Sequence, residues 1–446
     1  MAADNRSLIE LPPLNLEDIL SKLPLRSLVF CCCLSKPLLN LLKNDPGFAR
    51  TCFEKSESQL MINSAFCRKV HLIDLDADTH PALAERVEIQ PTFKLPLHGF
   101  EVTHSCNGLV LLENCNMDDN EVHRCVVCNP VTGEYIMLPV STVFSKHVSS
   151  AFFYCPVTNQ FKIFRAFHRV YLLSQDSESF LNSDPDPRIR SNLFPDGIYD
   201  FDSDSDHDND FDSDSNYSES DRMGEFLIGG SDYWEPIDSI PFSPLTIHSP
   251  CYLDNATHWL CADESVHNLI VSFNFETGQF GEIPGPTHLK KAHANVPDYV
   301  NMVSLDGCLS IFDNYTKKTR FDVWKMKEYG VKGSWTKAFV IDTTAWGVYR
   351  LHYSFTPVIC RNNGEVVMVS NSGYIILHDL LKKRGRIVFY PALEYPSKAV
   401  AHTPSLMPLS DVTRGTNMVV RKVASRSAPP KSNKRNYLQL STTYSE

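Results

Sequence analysis

The chain opens with apolar residues at helical spacing. The first stripe recurs at i, i+3, i+4 and i+7 and consists of Leu16, Ile19, Leu20 and Leu23. Pro24 is expected to end this helix, because proline disfavours the helical conformation in the residue before it. The same spacing returns in residues 25–32 and 38–42, and the turn-rich Asn44–Gly47 follows. The pattern therefore predicts three short helices at the start of the chain.

These helices are expected to need a partner. Helices of about ten residues are marginal alone, and a unit of about forty residues cannot bury a sufficient core. Part of their apolar surface is therefore predicted to face another protein.

From Leu60 onward the pattern changes to short apolar runs separated by turn residues, which predicts strands. Asn107–Gly108 lies between two such runs and predicts a tight hairpin. One theme of strand, turn and strand recurs in CNPVTGEYIMLP (128–139), YCPVTNQFKIFR (154–165), FNFETGQFGEIP (273–284) and, more loosely, ILHDLLKKRGRIVFY (376–390). Repeated strand pairs without amphipathic helices between them favour propeller blades or stacked meanders.

The length of this region predicts about seven blades, because it offers roughly 320 residues at about 40–50 per blade. A closed ring would also protect the sheet edges. The chain has no Trp-Asp dipeptide, and its single glycine doublet is Gly229–Gly230, so neither the WD nor the kelch motif is present.

Charge is concentrated in one segment. The net charge is −11, and residues 196–221 hold ten Asp and one Glu without Lys or Arg, so the rest of the chain is neutral. We expect residues 184–222 to be a disordered acidic insertion and 411–446 a disordered basic tail. Neither run defines a nucleic-acid-binding domain. Acid-directed phosphorylation is a hypothesis for serines with an acidic residue three positions on, namely Ser203, Ser205 and Ser218.

Candidate chemistry is sparse. No apolar run approaches the ~20 residues of a membrane span and no leader peptide is recognisable, so a cytoplasmic or nuclear protein with free thiols is expected. Cys125 and Cys128, with His123 nearby, have the residue types and spacing of candidate zinc ligands. We predict no zinc site, because residues three apart on a strand face opposite sides. No catalytic motif is present, and an enzyme is not expected.

Two resemblances give these patterns a function. The opening segment resembles the F-box, which binds the Skp adaptor of cullin-based ubiquitin ligases. The matching adaptor-binding positions are Leu11, Pro12, Ile19, Leu20, Leu23, Pro24 and Leu28. The β region is similar to the F-box associated domain of plant F-box proteins, a propeller-like domain that binds the target protein. Its matching motifs are HSCNGLVLL (104–112), CNPVTGEYIMLP, ATHWLC (256–261), VSFNFETGQFGEIP (271–284), VWKMKEYGVKGSWTKAF (323–339) and NNGEVVMV (362–369).

Together these observations predict an α+β multi-domain chain: a three-helix F-box at 8–56 and an all-β propeller-like domain at 58–410, interrupted by the acidic insertion. The resemblance implies a substrate-recognition subunit of an SCF-type (Skp, cullin, F-box) ubiquitin ligase. Its partners would be a Skp adaptor, through it a cullin, and an unknown target protein, with no cofactor, metal, membrane or nucleic acid. An alternative is a non-ligase interaction protein whose opening segment binds another partner or packs on the β domain. A propeller enzyme ranks last.

Overall fold

The computed structural model of the chain describes residues 18–20, 22–23, 27, 46–64, 69–73, 100–114, 123–141, 148–155, 158, 160–168, 222–237, 239–291, 299–315, 320–343, 355–361, 363–370, 374–389, 396–406, 408–409, 413 and 417–422. One helix precedes the sheets, α1 (Pro46–Lys55). The strands are β1 (Gln59–Ser64), β2 (Lys69–Ile73), β3 (Phe100–Cys106), β4 (Leu109–Asn114), β5 (Cys125–Asn129), β6 (Glu134–Met137), β7 (Val148–Cys155), β8 (Gln160–His168), β9 (Arg222–Ile228), β10 (Glu235–Ile237), β11 (Ile247–Leu253), β12 (Ala256–Cys261), β13 (Ile270–Asn274), β14 (Gln279–Ile283), β15 (Val300–Leu305), β16 (Cys308–Asp313), β17 (Arg320–Met326), β18 (Trp335–Asp342), β19 (Phe355–Cys360), β20 (Glu365–Ser370), β21 (Tyr374–Asp379), β22 (Arg384–Phe389), β23 (Pro396–His402) and β24 (Arg421–Lys422). Short 3-10 helices lie at Pro244–Thr246 and Lys332–Ser334.

The described strands form six antiparallel sheets, which are the blades of a propeller. Blade 1 holds β3 to β6 with β24 at its outer edge, and blades 2 to 5 hold β7 to β10, β11 to β14, β15 to β18 and β19 to β22. In these five blades the first strand is innermost and each later strand pairs with the one before it. Blade 6 holds β23, β1 and β2 in that order from the centre.

Blade 6 closes the ring by joining the two ends of the domain. Its inner strand β23 comes from the C-terminal side, and β1 pairs with it antiparallel, with Gln59 opposite His402. The Ser58 and Thr403 hydroxyls add a side-chain hydrogen bond of 2.8 Å beside this pair. Strands far apart in the chain thus share one sheet, which removes two free edges from the ring.

The segment after β23 crosses blade 1. Asn129 Nδ2 donates to the Ser405 carbonyl at 3.1 Å, and the Leu409 amide donates to Glu134 Oε2 at 2.7 Å. Leu409 is fully buried in the core between blades 1 and 2. We call residues 403–422 the C-terminal strap, which ends as β24 on the edge of β6.

Turn chemistry follows the sequence closely. The predicted hairpin at Asn107–Gly108 is confirmed: it joins β3 to β4, and both residues have positive φ, 49° and 78°. Asp254–Asn255 and Asp306–Gly307 make the equivalent turns of blades 3 and 4, with φ between 48° and 67°. Asn, Asp and Gly tolerate this conformation best, which is why they occupy these inner hairpins.

Three of the four predicted repeats occupy one structural position. The motifs at 128–139, 273–284 and 376–390 contain the hairpins between the two outer strands of blades 1, 3 and 5. In each, a side-chain oxygen accepts two backbone amides, and the residue four positions on has positive φ, namely Gly133, Gly278 or Lys383. The motif at 154–165 is also strand, turn and strand, but it joins the inner strands β7 and β8 and so occupies a different position in its blade.

The cores lie between neighbouring blades. The core between blades 2 and 3 is rich in aromatic rings, with Phe164 stacked on Phe273 at 4.3 Å between centroids. Two indole N–H groups tie a blade to the preceding one: Trp234 donates to the Pro139 carbonyl and Trp335 to the Pro284 carbonyl, each at 2.8 Å. Packing both faces of every blade in this way buries the alternating side chains of the strands.

The predicted fold class is wrong as stated. The described chain is nearly all β, and no three-helix unit is present within it: the helical residues described before β1 are 18–20, 27 and α1. We read Asn44–Gly47 as a break, but Pro46 begins α1, since its fixed φ suits a first helical turn. Most of the predicted second and third helices lies outside the described residues.

The described strands also form six blades rather than about seven. The prediction assigned about 40–50 residues to each blade. Residues 74–99 and 169–221 contribute no described strand, so fewer residues form blades than the prediction assumed. These segments include the predicted acidic insertion, whose disorder stays a prediction.

Candidate functional site

The six inner strands surround a central cavity of about 680 Å³. Its walls are mostly hydroxyl, amide and small apolar groups. The polar side chains include Ser58, Ser105, Ser249, Asn301, Ser304, Thr356 and Ser370. Such a surface can bind a ligand through many neutral hydrogen bonds.

The cavity carries little chemistry for bond making. Among its described lining residues there is no Asp or Glu, and Lys398 is the charged one. Burial lowers the pKa of His104 to about 4 and raises the pKa of the Cys360 thiol to about 12, so both groups are neutral near pH 7. The converging carboxylates that would support a propeller enzyme are therefore missing from the described walls.

Hydrogen bonds between blades position the cavity walls. Ser105 on β3 bonds the His402 Nδ1 of β23 at 2.8 Å, which links blades 1 and 6. Ser249 on β11 donates to Asn301 Oδ1 of β15 at 3.2 Å, which links blades 3 and 4. These contacts make the cavity a product of ring closure rather than of any one blade.

Two partly exposed tyrosines are fixed by stacking or hydrogen bonding, and one of them lines the cavity. Tyr252 lines it, stacks on Phe153 at 5.1 Å and is 40% exposed. Tyr329, 52% exposed, bonds His258 Nε2 through its hydroxyl at 2.7 Å. His258 is fully buried on β12, and burial lowers its pKa to about 4. Partly exposed, rigidly held tyrosines are favoured at protein interfaces.

The opening segment and the acidic insertion leave the ring on different faces. Residues 56–58 follow α1 at the face of the inner hairpins, where Glu57 pairs with Arg361 of the β19–β20 turn. The insertion connects β8 to β9, whose ends His168 and Arg222 pair at the other end of the strands. Antiparallel pairing alternates the ends at which strands connect, so the described residues that flank the two segments lie on opposite faces.

The predicted adaptor-binding residues are only partly described. Ile19 is 42% exposed, Leu20 is 2% exposed, and Leu23 is half-buried. Leu11, Pro12, Pro24 and Leu28 lie outside the described residues. Ile19 therefore exposes an apolar side chain to solvent, whereas Leu20 packs within the chain.

A polar cluster is buried between blades 1 and 2. Glu113 Oε1 on β4 lies 3.6 Å from His123 Nε2 and 3.7 Å from Cys125 Sγ on β5. Cys125 Sγ is also 3.6 Å from His123 Nδ1, and all three side chains are buried. Ser150 on β7 of blade 2 donates to Glu113 Oε2 at 2.6 Å. An oxygen, a nitrogen and a sulfur donor thus meet in one place.

The titration of this cluster follows from its burial. Burial lowers the pKa of His123 to about 4, with the nearby Arg165 guanidinium adding to the effect. Burial raises the pKa of the Cys125 thiol well above its ordinary value. Burial alone would raise the pKa of Glu113, but the adjacent imidazoles and hydroxyls outweigh it and lower that pKa to about 2. Near pH 7 the free cluster is a carboxylate, a neutral imidazole and a thiol.

The strand argument about the two cysteines is confirmed. Cys125 packs between blades 1 and 2, whereas Cys128 packs on the opposite face of β5, between blades 1 and 6. Sequence reasoning considered His123 and Cys125 but missed Glu113 and Ser150. Only the register of β4 with β5, which places Glu113 opposite Cys125, and the docking of blade 2 bring them together.

The described strands define a six-bladed β-propeller with a central cavity. The family model described as "F-box associated beta propeller domain" matches residues 59–387, and the chain belongs to this family.

Similar proteins agree with this membership. F-box protein CPR1 of Arabidopsis thaliana is 26% identical over 393 residues, covering 82% of this chain and 81% of that protein. F-box protein At3g07870 of the same plant is 23% identical over 417 residues, covering 90% and 87%. The crystal structure of Citrobacter koseri AztD superposes with a TM-score of 0.32 at 10% identity, covering 77% of this chain and 84% of that one. Among the described residues, no helix has the length and hydropathy of a bilayer-spanning segment.

Proposed function

We propose that this protein is the substrate-recognition subunit of an SCF-type ubiquitin ligase. The opening segment, 8–56, would bind a Skp adaptor and through it a cullin, and the propeller, 58–410, would bind the target protein. The supporting observation is that a propeller of the F-box associated family follows a leucine-rich opening segment, as in relatives named F-box proteins. This role requires the chain to bind proteins and not to catalyse a reaction. The described cavity walls hold no Asp or Glu, which supports this role over an enzyme.

The arrangement suits a tether. Glu57 and Ser58 bond Arg361 and Thr403, so the propeller holds the residues that follow α1 on one face. A target bound at the cavity rim would then stay close to the rest of the ligase. Holding two partners on one chain raises their effective concentration without a new catalytic group.

The two partly exposed tyrosines are the contacts that we assign to the target. Tyr252 and Tyr329 are exposed, aromatic and fixed by stacking or hydrogen bonding. Their rigidity lowers the entropy lost on binding. A cytoplasmic or nuclear location follows from the proposed role.

Adaptor binding is tested with Ile19→Asp in the full chain. Ile19 is exposed, so the charge should spare folding while it disrupts an apolar interface. The matched control is Leu381→Asp, since Leu381 is 76% exposed on the β21–β22 turn of blade 5. We expect co-purification with a Skp adaptor in the wild type and the control and at least tenfold less in Ile19→Asp. Equal recovery in all three would contradict the assignment of this residue to the adaptor interface.

The alternative is a non-ligase interaction protein, and one observation favours it. Leu20, one of the predicted adaptor-binding residues, is buried within the chain. If the wild-type chain recovers no adaptor at micromolar concentration while its propeller is folded, this alternative replaces the ligase role.

A further inference from the structure

The cluster of Glu113, His123 and Cys125 has the composition of a metal site. Zinc in proteins is bound by cysteine sulfur, histidine nitrogen and carboxylate oxygen, and this cluster holds one of each. All three side chains are nearly excluded from solvent. Exposed acidic groups often gather without a metal, but a buried set of three different donors is a more specific arrangement.

The spacing of the donors fits a shared ion better than direct bonding. Glu113 Oε1 and His123 Nε2 are 3.6 Å apart, which exceeds the usual 2.7–3.2 Å of an N–H···O hydrogen bond. Zinc bonds of about 2.0–2.3 Å in a tetrahedral arrangement place ligand atoms roughly 3.3–3.7 Å apart. Glu113 Oε1 lies 3.6 Å from His123 Nε2 and 3.7 Å from Cys125 Sγ, which matches this value. One nitrogen of His123, one oxygen of Glu113 and the Cys125 sulfur all lie within 4.8 Å of one another.

We propose that Glu113, His123 and Cys125 bind a zinc ion within blade 1, at its contact with blade 2. The three ligands come from blade 1, and Ser150 of blade 2 holds the carboxylate through Oε2, which leaves Oε1 directed at the other two donors. Water would complete the tetrahedron. Binding would release the thiol proton to solvent, since a cysteine coordinates zinc as the thiolate.

Charged neighbours do not block this site. Arg165 is the nearby guanidinium, and it pairs with Glu225 at 3.1 Å and lies over the Trp234 ring at 4.8 Å. Its charge is therefore engaged by a carboxylate and an aromatic ring outside the cluster.

A catalytic triad fits the same residues less well. Cysteine, histidine and glutamate in this order could in principle form a nucleophile, a base and an orienting group. Cys125 is 2% exposed, however, and does not line the central cavity, so no substrate reaches it. A structural metal needs no such access.

The test measures zinc in the full-length protein, purified without chelators after growth with zinc. The variants are Cys125→Ser and Glu113→Gln, and the matched control is Cys128→Ser. Cys128 lies on the same strand and is equally buried, but it packs on the opposite face. We expect about one zinc per chain in the wild type and the control, and at least fivefold less in the two cluster variants.

Cobalt loading and a variant of Ser150 distinguish loss of metal binding from misfolding. Wild-type protein loaded with Co²⁺ should show a thiolate-to-cobalt charge-transfer band, and Cys128→Ser should keep it. Ser150→Ala leaves every ligand in place and should weaken zinc binding about 10–100-fold. Wild-type protein with less than a tenth of a zinc per chain and no cobalt band would overturn the proposal, as would equal zinc in all variants. Neither result depends on adaptor binding.

Discussion

The C-terminal strap allows a matched test of what ring closure contributes to stability. Asn129 and Asn274 occupy the same position in blades 1 and 3, at the end of the third strand. Asn129 Oδ1 accepts the amides of residues 131 and 132 at 2.8 and 3.2 Å, and Asn274 Oδ1 accepts those of 276 and 277 at 2.9 and 3.0 Å. Asn129 also donates from Nδ2 to the Ser405 carbonyl of the strap.

We expect Asn274→Ala to lower the free energy of unfolding by about 1 kcal/mol. Asn274 is half-buried, and the two amides that it caps lie in an exposed turn, so water can replace the side chain. Asn129→Ala should cost about 3 kcal/mol. Asn129 and Ser405 are buried, so water cannot readily replace the lost bond, and such a loss adds about 1–3 kcal/mol.

The assay is urea unfolding followed by tryptophan fluorescence. All five tryptophans lie between residues 234 and 346, so the signal reports the propeller. The difference between the two variants, about 2 kcal/mol, measures the strap contact. Equal destabilisation would refute the claim that the strap adds stability through Asn129. Leu409 is fully buried, so Leu409→Ala should leave a cavity. It should reproduce most of the destabilisation expected for Asn129→Ala.

Two further predictions concern pH and backbone strain. Burial lowers the pKa of His402 to about 4 from its ordinary 6.5, so its contribution to stability is complete above pH 6.5 and is lost as the pH falls toward 4. Between pH 7 and pH 4.5 the free energy of unfolding of His402→Gln should therefore fall by about 2 kcal/mol less than that of the wild type. Identical pH profiles of the two proteins in urea titrations would contradict this. Gly278→Ala should destabilise the propeller by about 1 kcal/mol, because φ is 67° there, whereas Lys383→Gly, at φ 54°, should be neutral or slightly stabilising. A lower thermal midpoint for Lys383→Gly than for the wild type would show that the lysine side chain contributes a contact worth more than the strain.

Local pattern alone was enough for several features. Short apolar runs between turn residues located the strands, and Asn107–Gly108 specified an inner hairpin through its positive φ angles. The alternation of strand side chains also placed Cys125 and Cys128 on opposite faces. These features depend on residues a few positions apart, so the sequence carries them directly. The family motifs, which are also local, identified the propeller class.

Long-range pairing decided the rest. The number of blades, the closure of the ring through β1 and β23, and the strap over blade 1 depend on residues hundreds of positions apart. Glu113 meets Cys125 through strand register, and Ser150 reaches Glu113 only because blade 2 docks on blade 1. Side chains from all six inner strands form the cavity, so no single segment could reveal it. Such contacts arise when separate β-sheets pack together, and a hydrophobic pattern does not specify which faces will meet.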